Sequence, residues 1–357
     1  MKKIRIGIVG AGRIGRVHAR TVSSDSAAVP VAITDIDRAA AEDAASVYGF
    51  ARVADDNSQL LNSPDIEAVL ICSSTNTHAD LIVQAAQAGK HIFCEKPIDY
   101  DLSRIDWALE AVERAGVKLQ LGFNRRFDAN FARVKKAIAT GEIGTPRLLH
   151  IISRDPEPPP ISYVKVSGGM FFDMTIHDFD MARFLMGEDV EEIFTAAGVL
   201  VNPEIGEVGD VDTAIITLRF ANGGIGIIDN CRQAVYGYDQ RVEVLGSKGS
   251  ISTGNCYPNQ AVISTSAEIR RDLPFNFFME RYAESFASEL KSFIASIVED
   301  KPTPVTGEDG RIPVLMGIAA LRSYKEGRPV KVSAISATTA DSVTSAKRAS
   351  RDQRRDS

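Results

Sequence analysis

The chain has 357 residues, 44% hydrophobic and 25% charged, the profile of an ordinary soluble protein with room for two separate cores. A formal net charge of −6, with no basic helix or aromatic-basic surface, excludes a nucleic-acid footprint. No stretch approaches the ~18 to 20 apolar residues of a membrane span.

Lys2 and Lys3 precede an apolar run, but residues 4–9 are too few for an export signal and read as a buried strand. Cys72, Cys94, Cys231 and Cys256 have no CxxC spacing and are expected to be reduced thiols of a cytoplasmic protein. The strand runs directly into Gly10-Ala11-Gly12-Arg13-Ile14-Gly15 and a helical pattern through residue 23. This is GxGxxG between a strand and a helix, the context in which it cradles a pyrophosphate. Gly10 permits the turn, Gly12 lets the phosphates approach the backbone, and Gly15 lets the helix pack on the strand. The next strand, residues 29–34, ends at Asp35, whose carboxylate suits the ribose hydroxyls of NAD and repels the 2′-phosphate of NADP. Arg38 lies close enough to weaken that preference.

Strands and helices then alternate. Helices are expected at 38–48, 58–62, 77–88 and 103–115, and strands at 51–53, 68–72, 91–94 and 118–122. Such alternation implies a doubly wound parallel sheet, a Rossmann domain over residues 1–122, with ligands at the carboxyl ends of the strands. The polar residues there are Ser73, Ser74, Thr75, Asn76 and His78, then Glu95-Lys96-Pro97, then Asn124-Arg125-Arg126. Ser73 to Asn76 serve either as helix caps or as cofactor contacts. His78 is either a cofactor contact or an exposed first-turn side chain. Lys96, held before a proline at a strand end, projects toward the nicotinamide position, unless it is an ordinary loop cation.

Beyond residue 122 the pattern changes. A helix at 130–140 precedes an extended run at 147–153, and Pro156, Pro158, Pro159 and Pro160 force a rigid loop. Residues 168–187 read as a helix of about four turns. Asp173, His177 and Asp180 fall on it at i, i+4 and i+7, which puts an imidazole between two carboxylates on one face. A carboxylate can hold such a ring in one tautomer, as a general base requires. The same spacing also fits a surface pair, or with Asp180 a set of metal ligands. Extended segments follow at 190–201, 211–220, 224–234, 240–245 and 260–265, with Ala221-Asn222-Gly223-Gly224 as a hairpin turn. No long helices separate them, so this sheet is largely antiparallel. Long helices are expected at 275–298 and 311–325 and a short strand at 329–332. Residues 333–357, rich in Ser, Thr, Ala and charge, read as a disordered tail.

Taken together, the Gly10 to Gly15 loop, Cys94-Glu95-Lys96-Pro97, the run from Gly122 to Asp128, the run from Gly168 to Asp180, and Tyr236-Gly237-Tyr238 resemble the glucose-fructose oxidoreductase and inositol dehydrogenase family of NAD(P)-dependent enzymes. The likeness covers residues 1 to about 332, and its long helix motif is most similar to the myo-inositol 2-dehydrogenase branch. It implies an open, mostly antiparallel sheet in an α+β substrate and oligomerisation domain, residues 123–332, and a homotetramer packed through those sheets. It implies a catalytic set of Lys96, Asp173 and His177, with His177 as base and no metal. It also implies a substrate site lined by Arg125 or Arg126, Asp155 and Tyr236. Ser153, where some inositol enzymes are expected to carry histidine, and Asn124 depart from the pattern and leave the polyol open. The expected reaction is NAD-dependent oxidation of a secondary hydroxyl of a cyclic polyol, myo-inositol first, an aldose or another inositol isomer second. A sugar-responsive regulator without turnover is the rival from another class.

Overall fold

The computed structural model describes residues 2–335, and most of the tail expected at 333–357 lies outside them. The described chain divides into two compact units, residues 2–127 with 284–314, and residues 128–283 with 315–335.

The first unit is built on a six-stranded parallel sheet of β1 (Ile4–Val9), β2 (Ala28–Thr34), β3 (Arg52–Val53), β4 (Ala68–Ile71), β5 (His91–Cys94) and β6 (Leu119–Leu121). Their spatial order is β3-β2-β1-β4-β5-β6, so the order reverses beside β1, where a doubly wound sheet opens its ligand crevice. The inner strands are mostly buried Ile, Val, Leu and Ala, unbroken in β4, as a sheet covered on both faces requires. The helices carry their own stop signals. Asp37 caps Arg38–Tyr48 through the Ala39 and Ala40 N–H groups, and Gly49 ends it with φ 71°. Asp101 and Gly116 do the same for Leu102–Ala115.

Residues 284–314 belong to this first unit, whereas the sequence division had grouped them with the second. The reason lies in one helix, Ala283–Val298, whose buried Phe286, Leu290, Phe293 and Ile294 form a stripe at i, i+4, i+7 and i+8. Leu290, Phe293 and Ile294 join Ile4, Ile6, Ile8 and Phe93 in one apolar cluster. Each buried side chain of this size contributes about 1.5–3 kcal/mol, enough to bring the chain back to the first core. The helix expected at 275–298 is broken, with a single turn at Phe278–Arg281 before it.

In the second unit a seven-stranded sheet contains β7 (Pro146–Arg154), β8 (Val190–Gly198), β9 (Thr213–Phe220), β10 (Ile225–Cys231), β11 (Asp239–Gly246) and β12 (Ser250–Thr253). β13 (Val262–Ser264) and β14 (Ile269–Arg271) form a separate two-stranded ribbon, so the segment expected at 260–265 does not extend the main sheet. β15 (Val330–Lys331) closes the large sheet, whose order is β12-β11-β7-β10-β9-β8-β15. Every pair in it is antiparallel except β7 with β10. The β9–β10 hairpin turns at Asn222-Gly223, with Gly223 at φ 84° and the Asn222 side chain accepting from Gly224 N–H at 2.9 Å.

Alternation along the strands gives this sheet two faces. Leu149, Ile151, Ile216, Ile228, Val242 and Val244 are buried on one. The other exposes a row across three strands, Leu245, Leu148 and Ile225, with Ile227 beside it, at 39–47% exposure. Order extends past the expected end at 332: Val332–Ala334 forms a 3₁₀ turn and Ile335 is buried.

Candidate active site

The three glycines of the β1 loop divide their tasks by geometry. Gly10 sits at φ 104°, and a Cβ there would stand 2.6 Å from the Cys72 carbonyl. A Cβ on Gly15 would stand 2.0 Å from the Gly10 oxygen, so only glycine lets the helix Arg13–Ser24 approach the strand. Beside Gly12 nothing lies within 4 Å. That opening adjoins the first turn of the helix, whose N-terminus has no side-chain cap. Arg13 is exposed and Ile14 half-buried on that turn. The loop fits a dinucleotide pyrophosphate.

Asp35 directly follows β2 and accepts from Ala11 N–H at 2.6 Å and from Asp37 N–H at 2.9 Å. Each carboxylate oxygen keeps a second lone pair for a ribose hydroxyl. Arg38 is committed elsewhere: it pairs with Glu42 and Asp55, both at 2.8 Å, which offsets the charge a 2′-phosphate would need. Ile36, between them, is fully exposed. An isolated apolar side chain beside a carboxylate placed for a ribose would suit an adenine ring, and periodicity gives no hint of it.

At the end of β4, Ser73 Oγ lies 2.7 Å from Thr77 Oγ1, while Ser74, Thr75 and Asn76 enter a 3₁₀ turn with no side-chain cap. His78 is buried rather than exposed on the first turn. Its Nδ1 lies 2.8 Å from the Pro97 carbonyl oxygen and its Nε2 3.0 Å from that of Ser73. Glu95 is also buried, with Oε1 2.6 Å from His18 Nε2. The Lys96-Pro97 peptide is cis. From Ile92 to Asp99 every residue is buried except Lys96. Arg125 is buried in the 3₁₀ turn Asn124–Phe127, and Arg126 pairs with Asp309 at 2.9 Å.

In the second unit the helix expected over residues 168–187 is two helices, Met170–Asp173 and Thr175–Met186, with the break at Met174. The His177 N–H reaches back only to the Met174 carbonyl, at 3.3 Å, instead of the residue four before it. Polar partners on both sides of the break account for it. Asp173 accepts from Tyr163 Oη at 2.9 Å and faces Arg232 Nη1 at 3.4 Å, while Thr175 Oγ1 donates to Asn230 at 2.6 Å. Asn230 also donates to Asp178 at 2.9 Å. Between Met170 and Ala182 only Asp173 and His177 are part-exposed, and Asp180 is buried. The single face of Asp173, His177 and Asp180 is therefore not formed, and among the described residues no three His, Cys, Asp or Glu side chains gather as metal ligands.

Arg232 is the largest of the fully buried side chains, and its Nη2 also faces Asp210, at 3.8 Å. Nothing in its sequence position announces this role, since it follows β10 among ordinary strand residues. Tyr236 donates to Asp239 at 2.6 Å and meets Arg154 at 3.3 Å, and burial with the Asp239 contact raises its pKa. Asp155, half-buried, follows Arg154 at the end of β7. Ser153 is fully buried and donates to Gln240 at 3.1 Å.

A glycine-loop parallel sheet followed by a mixed, mostly antiparallel sheet is the architecture of a two-domain dinucleotide oxidoreductase. Residues 4–123 match the oxidoreductase family with an NAD-binding Rossmann fold, and residues 131–252 match the GFO/IDH/MocA C-terminal domain; the chain belongs to this GFO/IDH/MocA family. It is 48% identical over 329 residues to a myo-inositol 2-dehydrogenase of Thermotoga maritima, covering 92% of this chain and 98% of the relative. It is 47% identical over 330 residues to an inositol 2-dehydrogenase of Rhizobium meliloti, covering 92% and 99%. A scyllo-inositol dehydrogenase of Lactobacillus casei, solved with bound NAD(H) and scyllo-inositol, matches with a TM-score of 0.87 at 30% identity over 93% of this chain and 100% of that one.

Proposed function

We propose that the protein is an NAD-dependent inositol 2-dehydrogenase that oxidises the axial-type secondary hydroxyl of myo-inositol to 2-keto-myo-inositol. The observation that carries this is the exposure pattern. Lys96 alone emerges from the buried run of residues 92–99, and Asp173 and His177 alone from residues 170–182, in a chain 48% identical to a myo-inositol 2-dehydrogenase. A cation, an imidazole and a carboxylate left accessible among buried neighbours are the groups placed to meet a ligand.

In this reading NAD is held by Gly10 to Gly15, Asp35, Ile36, the residues from Ser73 to Asn76, and the backbone of Glu95, and it supplies the electron-pair acceptor. His177 takes the hydroxyl proton, and Asp173 fixes the ring and stabilises its charge. Lys96 donates a hydrogen bond to the substrate oxygen and favours alkoxide character. Arg125, Asp155 and Tyr236 bind the remaining hydroxyls. The reading requires Lys96 Nζ and the His177 ring to meet at one substrate oxygen. Asp35 supports NAD over NADP, because its carboxylate is already fixed and the charge of Arg38 is already matched.

The apolar row Leu245, Leu148 and Ile225 supports packing against a second copy, and a homotetramer through these sheets is the form proposed, in the cytoplasm. The likeness to the scyllo-inositol enzyme supports that isomer as the second substrate. Following NADH formation with myo-inositol, scyllo-inositol and aldoses, each repeated with NADP, tests the assignment. A rate with myo-inositol and NAD above all other pairs is expected; turnover of aldoses alone, or of none, overturns it.

A further inference from the structure

We propose that two buried histidines, His18 and His78, are positioning residues for Lys96, gripping the turn that carries it from either side. The inference rests on the dehydrogenase role given to Lys96 above. On the N-terminal side, His18 lies on the helix that follows the glycine loop, and its Nε2 meets Glu95 Oε1 at 2.6 Å. Glu95 accepts, so Nε2 carries the proton, and among the described residues Nδ1 has no hydrogen-bond partner. The ring is wedged edge-on against Phe93 and Phe286, at 4.9 and 5.6 Å between centroids. Gly122 closes the other side: a Cβ there would stand 3.0 Å from the Glu95 carboxyl.

On the C-terminal side, His78 Nδ1 reaches the Pro97 carbonyl at 2.8 Å, and Nε2 reaches that of Ser73 at 3.0 Å. One imidazole therefore lies between the Lys96 turn and the end of β4. Burial outweighs these carbonyl contacts and holds the pKa of His78 below its ordinary value. A neutral ring has one N–H, so it donates to one carbonyl at a time. The Pro97 contact is the shorter and is the one that bears on Lys96. With the side chain of Glu95 and the carbonyl of Pro97 both held, the backbone of Lys96 is gripped at both ends.

The two histidines use opposite ring nitrogens, which gives the test its form. An asparagine amide stands near the Nδ1 position and a glutamine amide near Nε2. At position 78, His78→Asn keeps a donor for Pro97 and His78→Gln loses it. At position 18, His18→Gln keeps a donor for Glu95 and His18→Asn loses it. For the two variants that lose their donor we expect kcat with myo-inositol to fall by up to about 100-fold, the scale of a ~1 Å misplacement, while NAD affinity holds. The two that keep it should stay near wild type. A loss of fold alone would not follow this crossed pattern, and thermal melts of all four identify any variant that is simply unstable.

Site-resolved acetylation of Lys96, measured against the exposed Lys3 in the NAD-bound protein, gives a readout independent of turnover. Its rate should shift in His78→Gln and His18→Asn and stay put in the other two. Equal behaviour of Asn and Gln at both positions, or losses confined to NAD affinity, would overturn the proposal. If the wild-type chain forms no NADH with any polyol, the dehydrogenase assignment falls, while the acetylation pattern still decides whether the histidines set Lys96.

Discussion

The two segments that present the candidate catalytic groups solve the same problem by different means. The Lys96 turn is fixed through its neighbours, by a glutamate side chain and a proline carbonyl that buried histidines hold. The broken helix at residues 170–186 is fixed through the proposed catalytic carboxylate itself, since Asp173 is bound directly by Tyr163 and the buried Arg232. A lysine that must reach a substrate oxygen can be held by its backbone neighbours, so that the grip does not fall on its amine. A carboxylate that must orient an imidazole can be gripped at its own oxygen, because each oxygen has more than one lone pair.

Removing the base gives the largest expected effect. His177→Ala should lower turnover by about two or more orders of magnitude while leaving NAD affinity nearly intact, and steady-state rates with cofactor titration check it. Arg232→Met sharpens the comparison on the helix side. It removes the guanidinium that faces the half-buried Asp173 and Asp210, and urea titration should show a loss of up to about 3–5 kcal/mol, with turnover falling as well. A similar loss is expected for Arg281→Met, whose partner Asp128 also caps the helix Ala129–Ala139, but without a matching loss of turnover per molecule folded. Contrast between these two arginines separates gripping a catalytic group from gripping a scaffold.

Asp35→Ser should weaken NAD binding by about 10- to 100-fold, since a charged hydrogen bond is worth about 1.5–3 kcal/mol, and raise the ratio of NADP to NAD turnover. The smallest effect is a pH dependence. Burial depresses the pKa of His78, and of the partly buried His91 near Lys118, so the unfolded chain binds these protons more readily than the folded one. Stability is then full above about pH 6.5 and declines below it, by at most about 1.4 kcal/mol per pH unit for each ring. His78→Asn should flatten part of that decline in thermal melts.

Much of this was legible in the chain. Gly10 and Gly15 sit where a turn and a close packing require them, as their spacing implies, and Gly12 lies open between them. The parallel sheet and the mostly antiparallel second sheet follow from where helices do and do not separate the strands. Other features depend on long-range partners that no local pattern carries. The break at Met174 comes from Arg232 and Asn230, more than fifty residues away, and the burial of His78 from Pro97 across the turn. Ile36 was invisible because its meaning lies in being exposed, which only three-dimensional context reveals.

The most direct test of the central claim is a crystal structure of the protein with NAD and myo-inositol bound. The amine of Lys96 and a ring nitrogen of His177 are expected within about 2.6–3.2 Å of the same substrate hydroxyl oxygen, on the carbon facing the nicotinamide. Inositol bound with that oxygen against only one of the two, or with both turned to separate cavities, would contradict the account.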